Sequence, residues 1–387
     1  MKNSIKRTLI LIIMCCVVFA TVLYLVFGIN TSKNIEFSPS NISKKKSHKI
    51  VNKKPKNIIV FIADGMGFSH LSLAMLTHNS KEKPSVFQEF TTKSWHDPRS
   101  FFGPITDSGA SATAIATGAL TNNGVIGLDE KGNRISTVLE EASNLDYITG
   151  IVTDSYIWDA TPAAFISHTK SRKNASDILT QIASSKLNLI FGELEDVGEE
   201  DVPNKKSTLD ILEKRFVLLD KFLILPNENL AKNPIAAIFA EDEIQDLDSS
   251  PNLPELTRIA LKKMDSENKP FILLIESEEM DSGSHKNNIK RVLKGIKSIE
   301  ETLALILTFS KKNKETLILF TSDHETGGLS IVANSENYPS VQTKWSTKDH
   351  TASIVPILAI GPGSEYFSDI HRNWQIGVLL KKLLSSK

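Results

Sequence analysis

Seven short apolar runs punctuate the chain after residue 56: NIIVFI (57–62), ITGIVT (148–153), LNLIFG (187–192), IAAIFA (235–240), FILLI (271–275), TLILF (316–320) and IVPILAI (354–360). Runs of this length, apolar at consecutive positions, predict strands buried on both faces. Between them, apolar residues recur every three or four positions in ISTVLEEAS (135–143), LPELTRIALKKM (253–264) and NIKRVLKGIKSIEETLALIL (288–307), the spacing of amphipathic helices. Strands alternating with helices predict an α/β fold with a mainly parallel central sheet and helices on both faces. No internal repeat interrupts that order.

The first 55 residues follow a different pattern. Lys2, Lys6 and Arg7 precede TLILIIMCCVVFATVLYLVFG (8–28), an apolar run long enough to cross a bilayer. It exceeds the core of a signal peptide and no Ala-x-Ala site follows, which predicts a signal-anchor or transmembrane segment over 1–29. Residues 30–55, rich in Ser, Asn and Lys, predict a basic flexible linker, and 56–387 a folded domain. The expected location is at a membrane, facing outside the cytoplasm, or secreted if the segment is cleaved. Lys33, Lys44, Lys45, Lys46 and Lys49 would argue for the inside by the charge rule, but long domains translocate largely regardless of such charges.

The formal net charge of zero hides an asymmetry. Residues 1–56 hold eleven Lys/Arg and a single acid, Glu36, leaving 34 basic against 44 acidic residues beyond them. The folded part is therefore mildly acidic, which argues against nucleic acid as its partner. Both cysteines, Cys15 and Cys16, lie in the apolar run, so disulfide and thiol chemistry are excluded from the domain.

In doubly covered sheets, ligands bind beyond the carboxyl ends of the strands. Asp64 follows the first run in ADGMG, Asp323 and His324 follow TLILF, and Asp159 and Thr161 follow ITGIVT through DSYIWDATPAA. Glu276 follows FILLI, with Asp281 and His285 five and four positions further on. Singly, each has an ordinary reading as a turn or a solvated acid. Four strand ends carrying carboxylate or imidazole, in a chain with nine His, point to metal instead. Carboxylate with imidazole suits zinc, and carboxylate with hydroxyl suits magnesium. TDSGASATAIATGAL (106–120) predicts a helix of small residues packed closely on the sheet, with Ser108 at its N-terminus. Free backbone N–H groups there favour an anion, and a serine beside metals is a nucleophile awaiting activation.

ADGMG, TDSGASATA, DATPAA with a following SR, E-x4-D-x3-H, T-x-DHETGG and DHTAS (349–353) together resemble the alkaline phosphatase family of metal-dependent phosphomonoesterases, from about residue 56 to about 363. The resemblance implies an alkaline-phosphatase-like catalytic domain acting on small phosphorylated substrates. Asp281, His285 and His350 would hold a first zinc on the leaving-group side, and Asp64, Asp323 and His324 a second beside Ser108. Asp64 would also bridge to a magnesium held by Asp159, Thr161 and Glu276, and Arg172 would grip the phosphate. Ser108 would form a phosphoserine. The chain departs from relatives at Ser282, where they commonly carry Lys, His or Trp, and at Lys286. Residues 193–252 look trimmed, so the family's dimer-building elaborations are not assumed and a homodimer is left open. The alternatives are a phosphodiesterase of the same superfamily, which Arg172 disfavours, and an inactive phosphate-binding protein, which a complete ligand set disfavours.

Overall fold

Each predicted apolar run becomes a strand of one sheet. In the computed structural model, which describes residues 14, 54–77, 85–194, 205–220, 222–225, 233–244, 249–334 and 340–385, its strands are β1 (Asn57–Ala63), β2 (Thr92–His96), β3 (Ile148–Tyr156), β4 (Leu189–Glu193), β5 (Val217–Leu218), β6 (Ile235–Phe239), β7 (Phe271–Ser277), β8 (Thr316–Thr321) and β13 (Val355–Ile360). Their order is β2-β13-β8-β1-β7-β3-β4-β6-β5. Two small ribbons pair β9 (Glu325–Thr326) with β12 (His350–Thr351), and β10 (Ser330–Ala333) with β11 (Val341–Lys344). Apart from residues 14, 54 and 55, the predicted anchor and linker lie outside the described residues. Among the described residues no helix is long and apolar enough to cross a membrane.

β1 shows why both faces are covered. Its side chains alternate across the sheet, so Ile58, Val60 and Ile62 enter one core and Ile59, Phe61 and Ala63 the other. The first core is closed by helices that contribute Ile115, Leu139, Ile178 and Leu379, the second by helices that contribute Leu71, Leu256 and Ile299.

Two strand assignments differ from the sequence expectation. IVPILAI is reversed: β13 pairs antiparallel with both β8 and β2, while the pairs from β8 to β5 are parallel. β2 has no counterpart among the apolar runs, because an edge strand with an exposed Lys93 and Trp95 carries no continuous apolar stretch.

Candidate active site

Four neighbouring strands, β8, β1, β7 and β3, deliver most of the candidate residues to one end of the sheet. Asp64 directly follows β1, and Asp323 and His324 follow β8. FILLI continues as strand to Ser277, so Glu276 lies inside β7, in register with Ile62 on one side and Thr153 on the other. Thr153 Oγ1 donates to Glu276 Oε2 at 2.6 Å. Asp281 and His285 stand on a short helix, Glu279–His285, and not on a loop. Their spacing of four puts them on one helical face, with His285 Nε2 3.2 Å from Asp281 Oδ2. The turn after β1 must pass under that helix. Gly65 has φ +75°, and a Cβ there would lie 2.8 Å from the Asp281 backbone, so the glycine of ADGMG is a steric requirement.

Ser108 is the first residue of the helix Ser108–Thr117, all of whose residues are buried. Asp107 caps it by accepting from Ala110 N at 2.9 Å. Close packing explains the small side chains: a Cβ on Gly377 would meet Gly118 N at 2.5 Å. The Ser108 hydroxyl faces His324, with Oγ 3.1 Å from Nε2. His324 Nε2 is also 3.4 Å from Asp64 Oδ1 and 3.4 Å from Asp323 Oδ2. His350 Nε2 is 3.2 Å from His285 Nε2, and its Nδ1 bonds Thr106 O at 2.9 Å. Possible ligand atoms of Asp281, His285 and His350 fall into one group, and those of Asp64, Asp281 and His324 into another, each within 4.8 Å. Asp281 therefore belongs to both.

Arg172 reaches the same region. Its Nη2 donates to Asp159 Oδ1 at 2.9 Å and its Nη1 to Asp107 Oδ2 at 3.4 Å, which fixes the plane of the guanidinium. Burial opposes its charge, but Asp159 and Asp107 outweigh it and hold the pKa above its ordinary value. Asp159 is thus more engaged than a free ligand, since the same Oδ1 also accepts from Ala160 N at 2.6 Å. The neighbours of Asp281 have structural partners: Glu279 pairs with Arg291 Nε at 2.6 Å, and Ser282 donates to Glu278.

The donor set fits divalent cations. Asp64 Oδ1, Asp323 Oδ2, Glu276 Oε1 and Thr161 Oγ1 are buried without a hydrogen-bond partner. Leaving such an atom unsatisfied costs about 1–3 kcal/mol, more for a charged group, and four of them among the candidate ligands is the arrangement that cations satisfy.

Charge follows the same division. Burial, then Asp323 and Asp281, holds Asp64 well above the usual carboxylate range, and burial with Asp281 lifts Asp323 to about 7. Burial, then Asp159, raises Glu276 well above its ordinary value. Burial would also raise Asp281, but hydrogen bonding to His285 and the charges of His324 and His350 overcome this and lower it. The bond to Asp281 raises His285 to about 9.

These shifts set an expected pH dependence for cation-free protein. A carboxyl raised in the fold contributes stability below its ordinary pKa of about 4, lost as pH rises through the raised value. Buried His70, His96 and His324, whose pKa values are lowered, act in the opposite sense, but only below about 6.5. In chelator, the melting temperature should therefore fall as pH rises from about 6.5 to about 8, and the fall should shrink when zinc and magnesium are restored. A flat or rising profile in chelator, measured by calorimetry, would contradict the buried-acid account.

Comparison with known proteins agrees with this geometry. The family model for alkaline phosphatase matches residues 55–212 and 227–344. The chain belongs to the alkaline phosphatase family. Alkaline phosphatase 4 of Bacillus subtilis is 27% identical over 417 residues, covering 86% of this chain and 89% of the relative. Alkaline phosphatase 3 of the same organism is 32% identical over 72% of this chain, which spans 63% of that relative's length. The alkaline phosphatase of the Antarctic bacterium TAB5 has a similar structure, with a TM-score of 0.78 and 28% identity, covering 87% of this chain and 99% of that one. A variant of the TAB5 enzyme is described with Mg bound in a site named M3. The chain is thus an enzyme of the alkaline phosphatase type, and its fold is the alkaline-phosphatase-like α/β sheet.

Proposed function

We propose that this alkaline phosphatase hydrolyses small phosphate monoesters through a phosphoserine at Ser108, with two zinc ions and one magnesium ion in the site. The observation that carries the reading is the buried helix N-terminus at which Ser108 Oγ stands 3.1 Å from His324 Nε2, near Asp64 Oδ1 and Asp323 Oδ2, which are buried without a hydrogen-bond partner. Asp281, His285 and His350 would hold one zinc, Asp64, Asp323 and His324 the other, and Asp64, Asp159, Thr161 and Glu276 the magnesium. The donor chemistry supports this division, since imidazole and carboxylate suit zinc whereas Thr161 Oγ1 and carboxylates suit magnesium. When bound, the cations would neutralise charge on the attacking and leaving oxygens.

The chain's own groups do the positioning. Backbone N–H groups in the first turn after Asp107 favour the substrate's phosphate dianion, as does the dipole of the helix. Arg172, its plane fixed by Asp107 and Asp159, directs remaining N–H bonds at two phosphate oxygens. Ser108 Oγ forms the bond to phosphorus as the ester oxygen leaves, and water then cleaves the phosphoserine. Two in-line displacements retain configuration at phosphorus.

The test is the rate on a phosphomonoester against a phosphodiester, with the purified protein at several pH values. A monoester preference of about 10²-fold or more is expected, because a diester offers Arg172 one unsubstituted oxygen fewer. Comparable rates would favour the phosphodiesterase reading.

The apolar run at 8–28 and the linker at 30–55 support a membrane-held enzyme facing outside the cytoplasm. Protease added to intact cells, or to cells with a permeabilised outer membrane, should then remove the domain. Protection under both conditions would reverse that orientation.

A further inference from the structure

We propose that the hydroxyl of Thr326 is a positioning group shared by the two zinc sites, holding a carboxylate oxygen of Asp281 and the ring of His324 at once. The inference rests on the metal reading above and adds a residue to it. Thr326 is fully buried in β9, out of reach of solvent. Its Oγ1 donates to Asp281 Oδ1 and lies 3.2 Å from His324 Nδ1.

The hydrogen inventory decides the direction of each bond. A threonine hydroxyl has one hydrogen, and an ionised carboxylate can only accept. The hydrogen therefore goes to Asp281, and Thr326 Oγ1 accepts from His324 Nδ1–H. That bond keeps the ring proton on Nδ1 and turns the Nε2 lone pair toward Ser108 Oγ, Asp64 Oδ1 and Asp323 Oδ2. A cation needs that lone pair, and the partner on the other ring nitrogen sets which nitrogen offers it.

The backbone of the same residue adds two constraints. Thr326 N donates to Gly65 O at 3.1 Å, next to Asp64, and Thr326 pairs with His350 across the β9–β12 ribbon. One residue thus touches Asp281 and His350 of one site, and His324 and the turn carrying Asp64 of the other. Valine would keep the shape and the backbone bonds while removing the hydroxyl. Asp281 Oδ1 would lose its donor, and His324 Nδ1 would lose the acceptor that holds the proton there.

The test uses full-length protein and three readouts. Nitrogen NMR of cation-free wild type should place the His324 proton on Nδ1. Competition against a chromophoric zinc chelator should give two tight sites in wild type, both weakened by about 10–100-fold in Thr326→Val and both kept within a few-fold in Thr326→Ser. Turnover should follow, with kcat falling in Thr326→Val more than KM rises. A purely structural role would lower the melting temperature in chelator without changing zinc affinity. Wild-type zinc affinities in folded Thr326→Val, a proton on His324 Nε2 in cation-free wild type, or weakened sites in Thr326→Ser would each overturn the proposal. If Thr326→Val does not fold, the NMR measurement and Thr326→Ser decide. Absence of zinc uptake by wild type would instead sink the metal reading itself, a result distinguishable from unchanged affinities in the variant.

Discussion

Ser108→Ala is expected to abolish the covalent phosphoenzyme and lower kcat by about 10³-fold or more, while leaving the fold intact. The side chain removed is one hydroxyl at the first position of a helix capped by Asp107, and alanine is a good helix former, so the helix should persist. Other hydroxyls nearby are committed elsewhere: Ser111 Oγ accepts from Asn373 Nδ2 at 3.2 Å, and Thr113 Oγ1 accepts from Gly127 N at 2.9 Å. Ser108 is the one that faces His324 Nε2. Acid quenching during turnover should trap phosphate on the peptide containing Ser108 in wild type and on none in the variant. Residual hydrolysis in the variant leaves this prediction standing, since water can attack the ester directly at a reduced rate. A label on Ser111 or Thr113 in wild type, or inversion at a chiral phosphate, would overturn it.

The second large effect concerns Asp281, the residue common to both groups of possible ligand atoms among the described residues. Chelation should abolish activity, and zinc with magnesium should restore it. Asp281→Asn should remove the proposed zinc held with His285 and His350, weaken the neighbouring one and lower kcat/KM by about 10³-fold, because it takes away a ligand charge that lies close to both groups of donor atoms. In cation-free protein the variant also strips His285 of its ion pair at 3.2 Å, so the His285 pKa should fall from about 9 toward the ordinary value. His285→Asn, by contrast, touches the group with Asp281 and His350 alone and should spare the zinc proposed beside Ser108. Metal analysis of the three proteins after dialysis separates these outcomes. Two tight cations in Asp281→Asn would show that proximity has been mistaken for ligation.

Some residues outside the sequence reading follow from geometry that no local pattern carries. Thr153, Thr326 and Asp107 orient Glu276, His324 and Arg172 through single hydrogen bonds or ion pairs. A serine, threonine or aspartate making such a bond looks the same in sequence as one facing water. DHETGG contains Thr326, yet only the fold of β9 against the helix Glu279–His285 brings its hydroxyl to Asp281. Glu279, by sequence one more acid in ESEE, owes its partner Arg291 to a helix boundary between them.

What the sequence determined by itself was everything written in short-range periodicity and residue chemistry. Continuous apolar runs specify strands buried on both faces, and the 3.6-residue spacing between them specifies covering helices. The carboxylates and imidazoles at the run ends mark one end of the sheet as the place where candidate ligands converge, because parallel strands carry their carboxyl ends to one edge. Tertiary structure alone decided the direction of β13, the presence of edge strand β2 and the placement of Asp281 in both ligand groups. The physical reason is that strand direction and site geometry depend on contacts between residues far apart in the chain. Ser108 and His324 meet across 216 positions, Asp281 and Thr326 across 45. Local pattern fixes which face of an element is buried, while the neighbour that buries it is chosen by the packing of the whole sheet.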